Sequence, residues 1–278
     1  MNSSQYVRPL SAESAGTVPG RGRLRGRRIL VVGGGQQVFD AATDPVGNGR
    51  AISLLCAREG AKVAVADRNR PSAAQTLATV EREGGSGCVI QADIGVEADV
   101  ARMIDEARTA LGGLDGMVLN VGIAIASQLG LESTDAAEWD QVMAVNIRGP
   151  MLCCRDGLRH LENGSSVVFI SSLAALKAAT RCVAYDASKA ALAALMRNVA
   201  MEGASRGVRA NIVAPGFVDT PLGRAATAGR PARAATALPF GRMATAWEVA
   251  YAALFFLSDE SVYVNAQTLV VDCGMTGI

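Results

Sequence analysis

Short runs of apolar, largely β-branched residues alternate with longer Ala-rich stretches along almost the whole chain, and no other feature restricts the fold so tightly. The runs are Ile29–Val32, Lys62–Ala66, Cys88–Gln91, Gly116–Leu119, Ser166–Ile170, Arg209–Val213 and Thr268–Val271. Between them lie Gly49–Arg58, Ser72–Arg82, Glu97–Leu111, Asp135–Leu161, Tyr185–Ser205 and Ala246–Leu257, which read as amphipathic helices. Apolar runs of about 4–6 residues suit strands buried on both faces. Strict strand–helix alternation then predicts an α/β fold: one doubly wound domain, a seven-stranded and mostly parallel sheet with helices on both faces. With no internal repeat and no linker, that domain is expected to occupy residues 24–278. Residues 1–23, rich in Ser, Gly, Pro and Arg without a hydrophobic period, read as a flexible N-terminal arm.

Composition narrows the partners. Charged residues make up 19% of the chain and the formal net charge is +1, which gives no electrostatic reason to expect nucleic acid or an anionic membrane surface. The one basic run, Arg21-Gly22-Arg23-Leu24-Arg25-Gly26-Arg27-Arg28, reads better as a solvated lead-in to the first strand than as a patch for an acidic partner. No apolar run approaches the ~18–20 residues of a membrane span, and the N-terminus lacks the apolar core of a signal peptide. The six cysteines form no C-x-x-C pair, so reduced thiols and a cytoplasmic location are expected. A single histidine, His160, excludes a histidine-rich metal site, and no metal is expected.

The first strand runs into Gly33-Gly34-Gly35, and Gly47-Asn48-Gly49 then opens a helix. Glycine suits a backbone that must turn sharply and approach a pyrophosphate, while a helix N-terminus offers unpaired N–H groups and a partial positive charge. A second strand ends at Asp67, about 20 residues beyond Gly47, the spacing at which an acid reaches the ribose hydroxyls of a dinucleotide in a Rossmann fold. A carboxylate there opposes a 2′-phosphate, which favours NAD over NADP, although Arg68 directly after it is a potential phosphate partner.

A second constellation lies on the helix near Tyr185. Tyr185 and Lys189 are four residues apart and share one helical face. A phenol with an ordinary pKa near ~10 is a poor base at neutral pH. An ammonium ~4 Å away, interacting by roughly 4 kcal/mol at an effective dielectric of 20, is expected to lower that pKa by up to ~3 units. The preceding strand ends in Ser171-Ser172, and hydroxyls at the carboxyl end of a parallel strand face the ligand crevice.

With these residues in place, the sequence from Leu24 to the C-terminus resembles the short-chain dehydrogenase/reductase family. Its dinucleotide glycines look like Gly34, Gly47 and Gly49, with Asn48 between the last two, and its ribose-binding acid looks like Asp67. The aspartate that meets the adenine resembles Asp93, with Ile94 beside it, in Gln91-Ala92-Asp93-Ile94. The Asn-Asn-Ala-Gly turn is similar to Leu119-Asn120-Val121-Gly122, which makes Asn120 and Gly122 cofactor contacts. The turn that touches the nicotinamide resembles Pro215-Gly216-Phe217-Val218-Asp219-Thr220, contributing Pro215, Gly216, Val218 and Thr220. The catalytic tetrad matches Asn146, Ser172, Tyr185 and Lys189. Twelve residues separate Gly34 from Gly47 where the family usually has three, an insertion of about nine. Asp40 and Asp44 within it would repel a pyrophosphate, so the insertion is expected to form a surface loop at the rim of the cofactor crevice.

The resemblance implies an NAD(P)-dependent oxidoreductase that interconverts a secondary alcohol and a ketone, with NAD favoured as cofactor. Tyr185 is its proton donor or acceptor, Ser172 its substrate hydrogen-bond partner, and Asn146 the residue that orders a relay water beside Lys189. Reduction of a 3-oxoacyl thioester is the alternative reaction, and a catalytically inactive dinucleotide sensor the alternative class. Enoyl reduction fits less well, because that branch spaces its tyrosine and lysine more widely. His160 reads as a helix-end residue, Cys153-Cys154 as packing, and Trp139 with Met143 as a packing stripe. Segments 123–131, 173–184 and 221–240 are expected to build the substrate pocket. Their Ala, Leu, Ile and Gly suit an uncharged, apolar alcohol or ketone, with an acid met by Arg224, Arg230 or Arg233 as the less favoured reading. The nearly all-round apolar character of Tyr185–Ser205 and the helix containing Trp139 predict a homotetramer.

Overall fold

The fold follows from which strands can be buried on both faces. The computed structural model describes residues 7–40, 42–125, 129–177, 180–228 and 230–278. In chain order its elements are β1 (Arg28–Val32), α1 (Asn48–Arg58), β2 (Lys62–Asp67), α2 (Arg70–Arg82), β3 (Ser86–Gln91), α3 (Glu97–Leu111) and β4 (Leu114–Leu119). Then come α4 (Ala136–Met143), a π-helical turn at Ala144–Arg148, α5 (Gly149–Gly157), β5 (Leu161–Ile170), α6 (Val183–Gly203) and β6 (Arg209–Pro215). The last part holds β7 (Val218–Asp219), α7 (Pro221–Thr227), α8 (Pro231–Ala234), β8 (Ala244–Thr245), α9 (Ala246–Leu257) and β9 (Thr268–Val271).

The main sheet has seven strands in the order β3-β2-β1-β4-β5-β6-β9, and every pairing in it is parallel. Successive residues of β1 point to opposite faces, so Ile29 and Val31 enter one core layer while Leu30 and Val32 enter the other. The first layer is closed by α1 and α9 through Ile52, Leu55, Leu254 and Phe256. The second is closed by α3, α5 and α6 through Met103, Ile104, Leu152, Leu192 and Met196. Cys153 and Cys154 are buried in that layer, and burial pushes the Cys153 thiol up to about 12, as suits a packing role.

The chain leaves β1 toward β2 on one side and enters β4 on the other, so a crevice opens between their carboxyl ends. Local chemistry fixes the helices around it. Asn69 accepts the Ser72 N–H at the start of α2, and Thr245 with Glu248 closes a reciprocal capping box on α9. By contrast, α1 begins at Gly47 with no side-chain cap. The stretch expected as one helix over 135–161 is interrupted by the π-helical turn, the form in which extra backbone slack often sits at functional positions. Strand β5 begins at Leu161, earlier than its apolar run, because Glu162–Gly164 are exposed although extended.

Residues 7–23 differ from the free arm expected of them. The Ser14 hydroxyl donates to Glu248 at 2.8 Å, Thr245 donates to Ser14 O at 2.7 Å, and Arg58 donates to Gly16 O at 2.7 Å. Gly16, in the left-handed region at φ +68°, lies so close on Trp247 that a Cβ would sit 2.1 Å from its ring. These partners are more than 200 residues away for α9, which is why local composition gave no sign of them. Residues 1–6 of the expected arm lie outside the described residues.

The basic run is likewise held by the chain's own acids. Arg23 pairs with Glu59 at 2.7 Å, Arg27 with Asp259 at 2.5 Å and Arg28 with Asp115 at 2.6 Å. Glu59 is only 1% exposed and also accepts the backbone N–H groups of Arg21 and Arg23 at 3.0 and 2.9 Å. Burial alone would raise its pKa, but the bonds from Arg23 and Arg21 outweigh burial and hold the carboxyl below its ordinary value. A group depressed in this way stabilises the fold above its unfolded pKa of about 4.3, and that contribution disappears as pH falls through the folded value. Glu59→Ala is expected to lower the unfolding free energy by about 3 kcal/mol at neutral pH, with a smaller loss at pH 3, as read by urea denaturation.

Candidate active site

A cleft of about 610 Å³ lies at the carboxyl ends of β1, β2 and β4 and extends to the end of β5. At one wall, Gly33 takes φ +78° directly after β1, and its carbonyl nearly touches α1: a Cβ on Gly49 would sit 1.8 Å from Gly33 O. Only glycine permits that approach. Asn120, just past β4, donates to the same carbonyl at 2.9 Å and locks the turn. The uncapped N-terminus of α1 therefore faces the cleft with N–H groups available, and the buried Asn48 Oδ1 beside it has no hydrogen-bond partner. Donors for phosphate oxygens and an orphaned acceptor for a ligand hydroxyl make this wall fit a dinucleotide.

The cleft lining includes Gly47, Asn48, Gly49, Asp67, Arg68, Asp93, Ile94, Asn120, Gly122, Tyr185, Lys189 and Thr220 from the residues singled out in the sequence. Others stand behind it. Gly34 is buried, with its Cα facing Val65 and Ser53, and the cleft surface is formed by Gly33 and Gly35 on either side. Pro215 is buried in β6, Gly216 packs on Asp272, and Val218 is buried in the short β7–β8 pair. Asp67 accepts the Gly35 N–H at 3.1 Å and the Asn69 N–H at 2.9 Å, one on each carboxylate oxygen.

Residues that sequence reasoning missed come from the insertion. Gln36, Gln37, Val38 and Phe39 line the cleft, and Gln36 bridges the loop by accepting the Gly47 N–H at 2.9 Å. Ser72 at the start of α2 donates to Gln36 O at 2.7 Å and accepts its N–H at 2.6 Å. Asp40 and Asp44 turn inward on the loop itself: Asp44 accepts the N–H groups of Phe39 and Asp40, and Asp40 accepts from Ala42 N and Thr43 Oγ1. Residue 41 lies outside the described residues.

At the far wall, the helical spacing of Tyr185 and Lys189 brings both against the end of β5. Lys189 is 4% exposed, donates to Ile170 O at 3.0 Å and lies 5.7 Å from the centroid of the Tyr185 ring. Ser172 caps the turn after β5 by accepting the Ala174 N–H at 3.1 Å, and its hydroxyl favours the ionised form of the Tyr185 phenol. Asn146, fully buried in the π-helical turn, accepts the Ile123 N–H at 2.8 Å and donates to Ile123 O at 2.9 Å and Ser188 Oγ at 3.0 Å. Gly122 packs between the two, since a Cβ there would lie 2.9 Å from Lys189 Nζ and 3.7 Å from Asn146 Oδ1.

The electrostatics depart from the expected pairing. Burial pushes the Tyr185 phenol up despite the bond from Ser172, and burial alone brings the Lys189 ammonium down to about 8. The cation that does pull the phenol down is Arg233, from α8. Desolvation dominates both groups because the ammonium is turned to the Ile170 carbonyl and stands off from the phenol.

The three pocket segments are tied to one another. Gly130 N–H donates to Arg181 O at 3.0 Å, Arg230 donates to Thr180 O, and Arg224 donates to Thr43 O of the insertion at 2.8 Å. Residues 126–128, 178–179 and 229 of those segments lie outside the described residues. His160 ends a single 3₁₀ turn before β5 and does not line the cleft, and among the described residues no acid, cysteine and histidine cluster is placed to hold a metal ion. No described helix is long and apolar enough to cross a membrane.

Comparison with known proteins accords with this geometry. The family model described as enoyl-(acyl carrier protein) reductase matches residues 42–276. The chain is 34% identical to a glucose 1-dehydrogenase of Gluconobacter oxydans, over 93% of this chain and 95% of that protein. It is 35% identical to a cis-4-hydroxycyclohexanecarboxylate dehydrogenase of Sinomonas cyclohexanicum, over 84% of this chain and 93% of the relative. A solved gluconate 5-dehydrogenase of Burkholderia cenocepacia, in complex with NADP and tartrate, superposes with a TM-score of 0.82 at 30% identity, covering 93% of this chain and 98% of that one. Sheet order, cleft and relatives agree, and the chain belongs to the short-chain dehydrogenase/reductase family.

Proposed function

We propose that the protein interconverts a secondary alcohol and a ketone, using Ser172, Tyr185, Lys189 and Asn146 at the β5 end of the cleft. The observation that carries this reading is the convergence at the end of β5 of the buried Lys189, 5.7 Å from the Tyr185 ring centroid, and of Ser172, whose hydroxyl acts on the Tyr185 phenol. A nicotinamide dinucleotide held in the cleft would supply the hydride for reduction and accept it in oxidation. Tyr185 gives its proton to the substrate oxygen as reduction proceeds and recovers it in the reverse direction. Ser172 donates a hydrogen bond to that oxygen as charge develops on it. Lys189 holds positive charge 5.7 Å from the centroid of the Tyr185 ring and would hold the nicotinamide ribose. Asn146 orders a water beside Lys189, for which its Oδ1 keeps one acceptor position after bonding Ile123.

Relatives named as dehydrogenases of a sugar and of a hydroxy acid support an alcohol as substrate. The name of the matching family model favours enoyl reduction as a second reading. The four-residue spacing of Tyr185 and Lys189, with Ser172 on the phenol, supports the carbonyl reaction instead. Gly47–Gly49 would hold the pyrophosphate and Asp67 the adenosine ribose. Asp67 supports NAD over NADP, because a carboxylate at the end of β2 opposes a 2′-phosphate. The unpaired state of all six cysteines supports a cytoplasmic location. A homotetramer is supported by two exposed apolar surfaces: Ala190, Ala194 and Met201 on α6, and Leu269 with Val262 and Tyr263 near the β9 edge.

Three outcomes are expected. Tyr185→Phe should lower kcat by at least a hundredfold while dinucleotide Kd by calorimetry stays within a few-fold; more than about a tenth of wild-type turnover contradicts the role of Tyr185. Asp67→Ala should shrink the NAD:NADP ratio of kcat/KM by about tenfold or more, and a wild type that already prefers NADP contradicts the assignment. Light scattering at micromolar concentration should give the mass of four chains, and a monomer mass rules out the assembly.

A further inference from the structure

We infer that Arg233 anchors an anionic group, a carboxylate in the first instance, at the far end of the substrate; the inference rests on the alcohol–ketone reading above. Arg233 lies on α8, in the segment between β7 and β8, and Arg230 of that segment donates to Thr180 O just before α6. Its guanidinium carbon sits 4.1 Å from the centroid of the Phe217 ring, and its Nε donates to Thr227 Oγ1 at 3.2 Å. Stacking on one face and a bond at one edge hold the planar fork in a single orientation, and leave its remaining donors pointing away from both contacts.

Arg233 shares with Arg230 the lack of an ion-pair partner among the described residues, unlike the other two arginines of this segment. Arg224 and Arg242, before and after it in the same segment, pair with Asp219 at 2.6 Å and Glu248 at 2.7 Å. Among the described residues no carboxylate lies within ion-pair distance of Arg233, although its side chain is partly buried. Its charged neighbour is another cation, Arg230, and burial followed by the field of Arg230 lowers the pKa of its guanidinium. A partly desolvated guanidinium that feels a second positive charge is unfavourably placed until an anion joins it. The stack on Phe217, two residues past the end of β6, puts the cation at the carboxyl edge of the sheet, and its charge acts on Tyr185 of α6 and on Cys182 just before that helix.

Arg233 does not line the dinucleotide cleft, whose phosphate-binding wall at Gly33 and Gly47–Gly49 is formed elsewhere. A substrate whose oxygen meets Tyr185 and Ser172 therefore extends its other end toward α8. The favoured substrate is a hydroxy acid or oxo acid with a short apolar body, in place of the uncharged molecule expected from composition. Composition counts the apolar lining but not whether one guanidinium in it has found a partner.

The test compares wild type, Arg233→Leu and Arg233→Lys on 4-oxocyclohexanecarboxylate and linear 4-oxo and 5-oxo acids, each beside its methyl ester, with NADH and with NADPH. Calorimetry in parallel measures binding of unreactive cyclohexanecarboxylate in saturating NAD, and of the dinucleotide itself. Wild type is expected to prefer acid over ester at least tenfold in kcat/KM. Arg233→Leu should reduce that ratio by about a hundredfold, chiefly through KM, and weaken cyclohexanecarboxylate to match, while Arg233→Lys keeps part of both. An acid:ester ratio that stays within threefold in Arg233→Leu overturns the inference, as does cyclohexanecarboxylate that fails to bind wild type. A loss of dinucleotide affinity beyond tenfold with an unchanged ratio overturns it too, and assigns Arg233 to the cofactor. If wild type reduces no probe with either dinucleotide, the reading as a carbonyl reductase fails separately, and the anchor is judged by cyclohexanecarboxylate binding alone.

Discussion

The site depends on the chain parting to opposite sides between β1 and β4. Because every strand of the main sheet is parallel, all the loops that follow strands emerge at one edge, and there alone is backbone free to meet a ligand. The parting leaves no crossover covering the ends of β1 and β4, so Gly33 and Asn120 face a gap that neighbouring connections leave open. The contact between Gly33 O and α1 sets the depth of that gap. It brings the helix N-terminus down onto the sheet edge, and Gly49 is the residue that makes the approach possible.

On the other side of the gap, burial does the work that charge pairing was expected to do. An ammonium 4% exposed, answered by one carbonyl at 3.0 Å, is easily stripped of its proton, and its pKa near 8 is the measure of that. The phenol above it is harder to ionise for the same reason. Both groups sit closer to neutrality than they would in water. Such a pair responds strongly to any charge that enters, because little solvent remains to screen it. The cation that favours the ionised phenol is Arg233, supplied by α8 and not by the helix that carries the pair.

What could be read from the sequence was what depends on neighbours a few residues apart. The bounds of α3, α9 and β9 coincide with their apolar periods, and the i, i+4 placement of Tyr185 and Lys189 follows from helical geometry alone. The π-helical turn around Asn146 was not legible, since an unbroken apolar period runs through it and the slack is resolved only by packing against α6 and Ile123. Nor was the seating of residues 7–23, whose polar composition suits an arm but whose Ser14 and Gly16 meet α9 more than 200 residues later. Gly34 shows the same limit on a smaller scale: three consecutive glycines announce a turn, but which of them faces the ligand is decided by Val65 and Ser53 on the strand and helix behind. The direction of the charge coupling between Tyr185 and Lys189 belongs to this class too, because spacing fixes proximity and not where Nζ points.

The insertion joins these two halves of the site. Its carboxylates, which looked like a hindrance to phosphate, are consumed in holding the loop's own backbone, so the repulsion inferred from sequence is directed away from the cleft. At its start Gln36 is held by Ser72 and in turn accepts the Gly47 N–H, one of the donors at the mouth of α1. At its end Thr43 O is held by Arg224 of α7, which also pairs with Asp219 after the β6 turn. A loop fastened at the start of α1 and at α7 cannot move with one and ignore the other. Val38 and Phe39, both substantially exposed between those fastenings, line the cleft. Loop length itself costs little, so nine extra residues are tolerable on entropy alone. The five hydrogen bonds that tie them to β2, α2, α7 and the start of α1 are what make this loop part of the site's frame rather than an ornament on its rim.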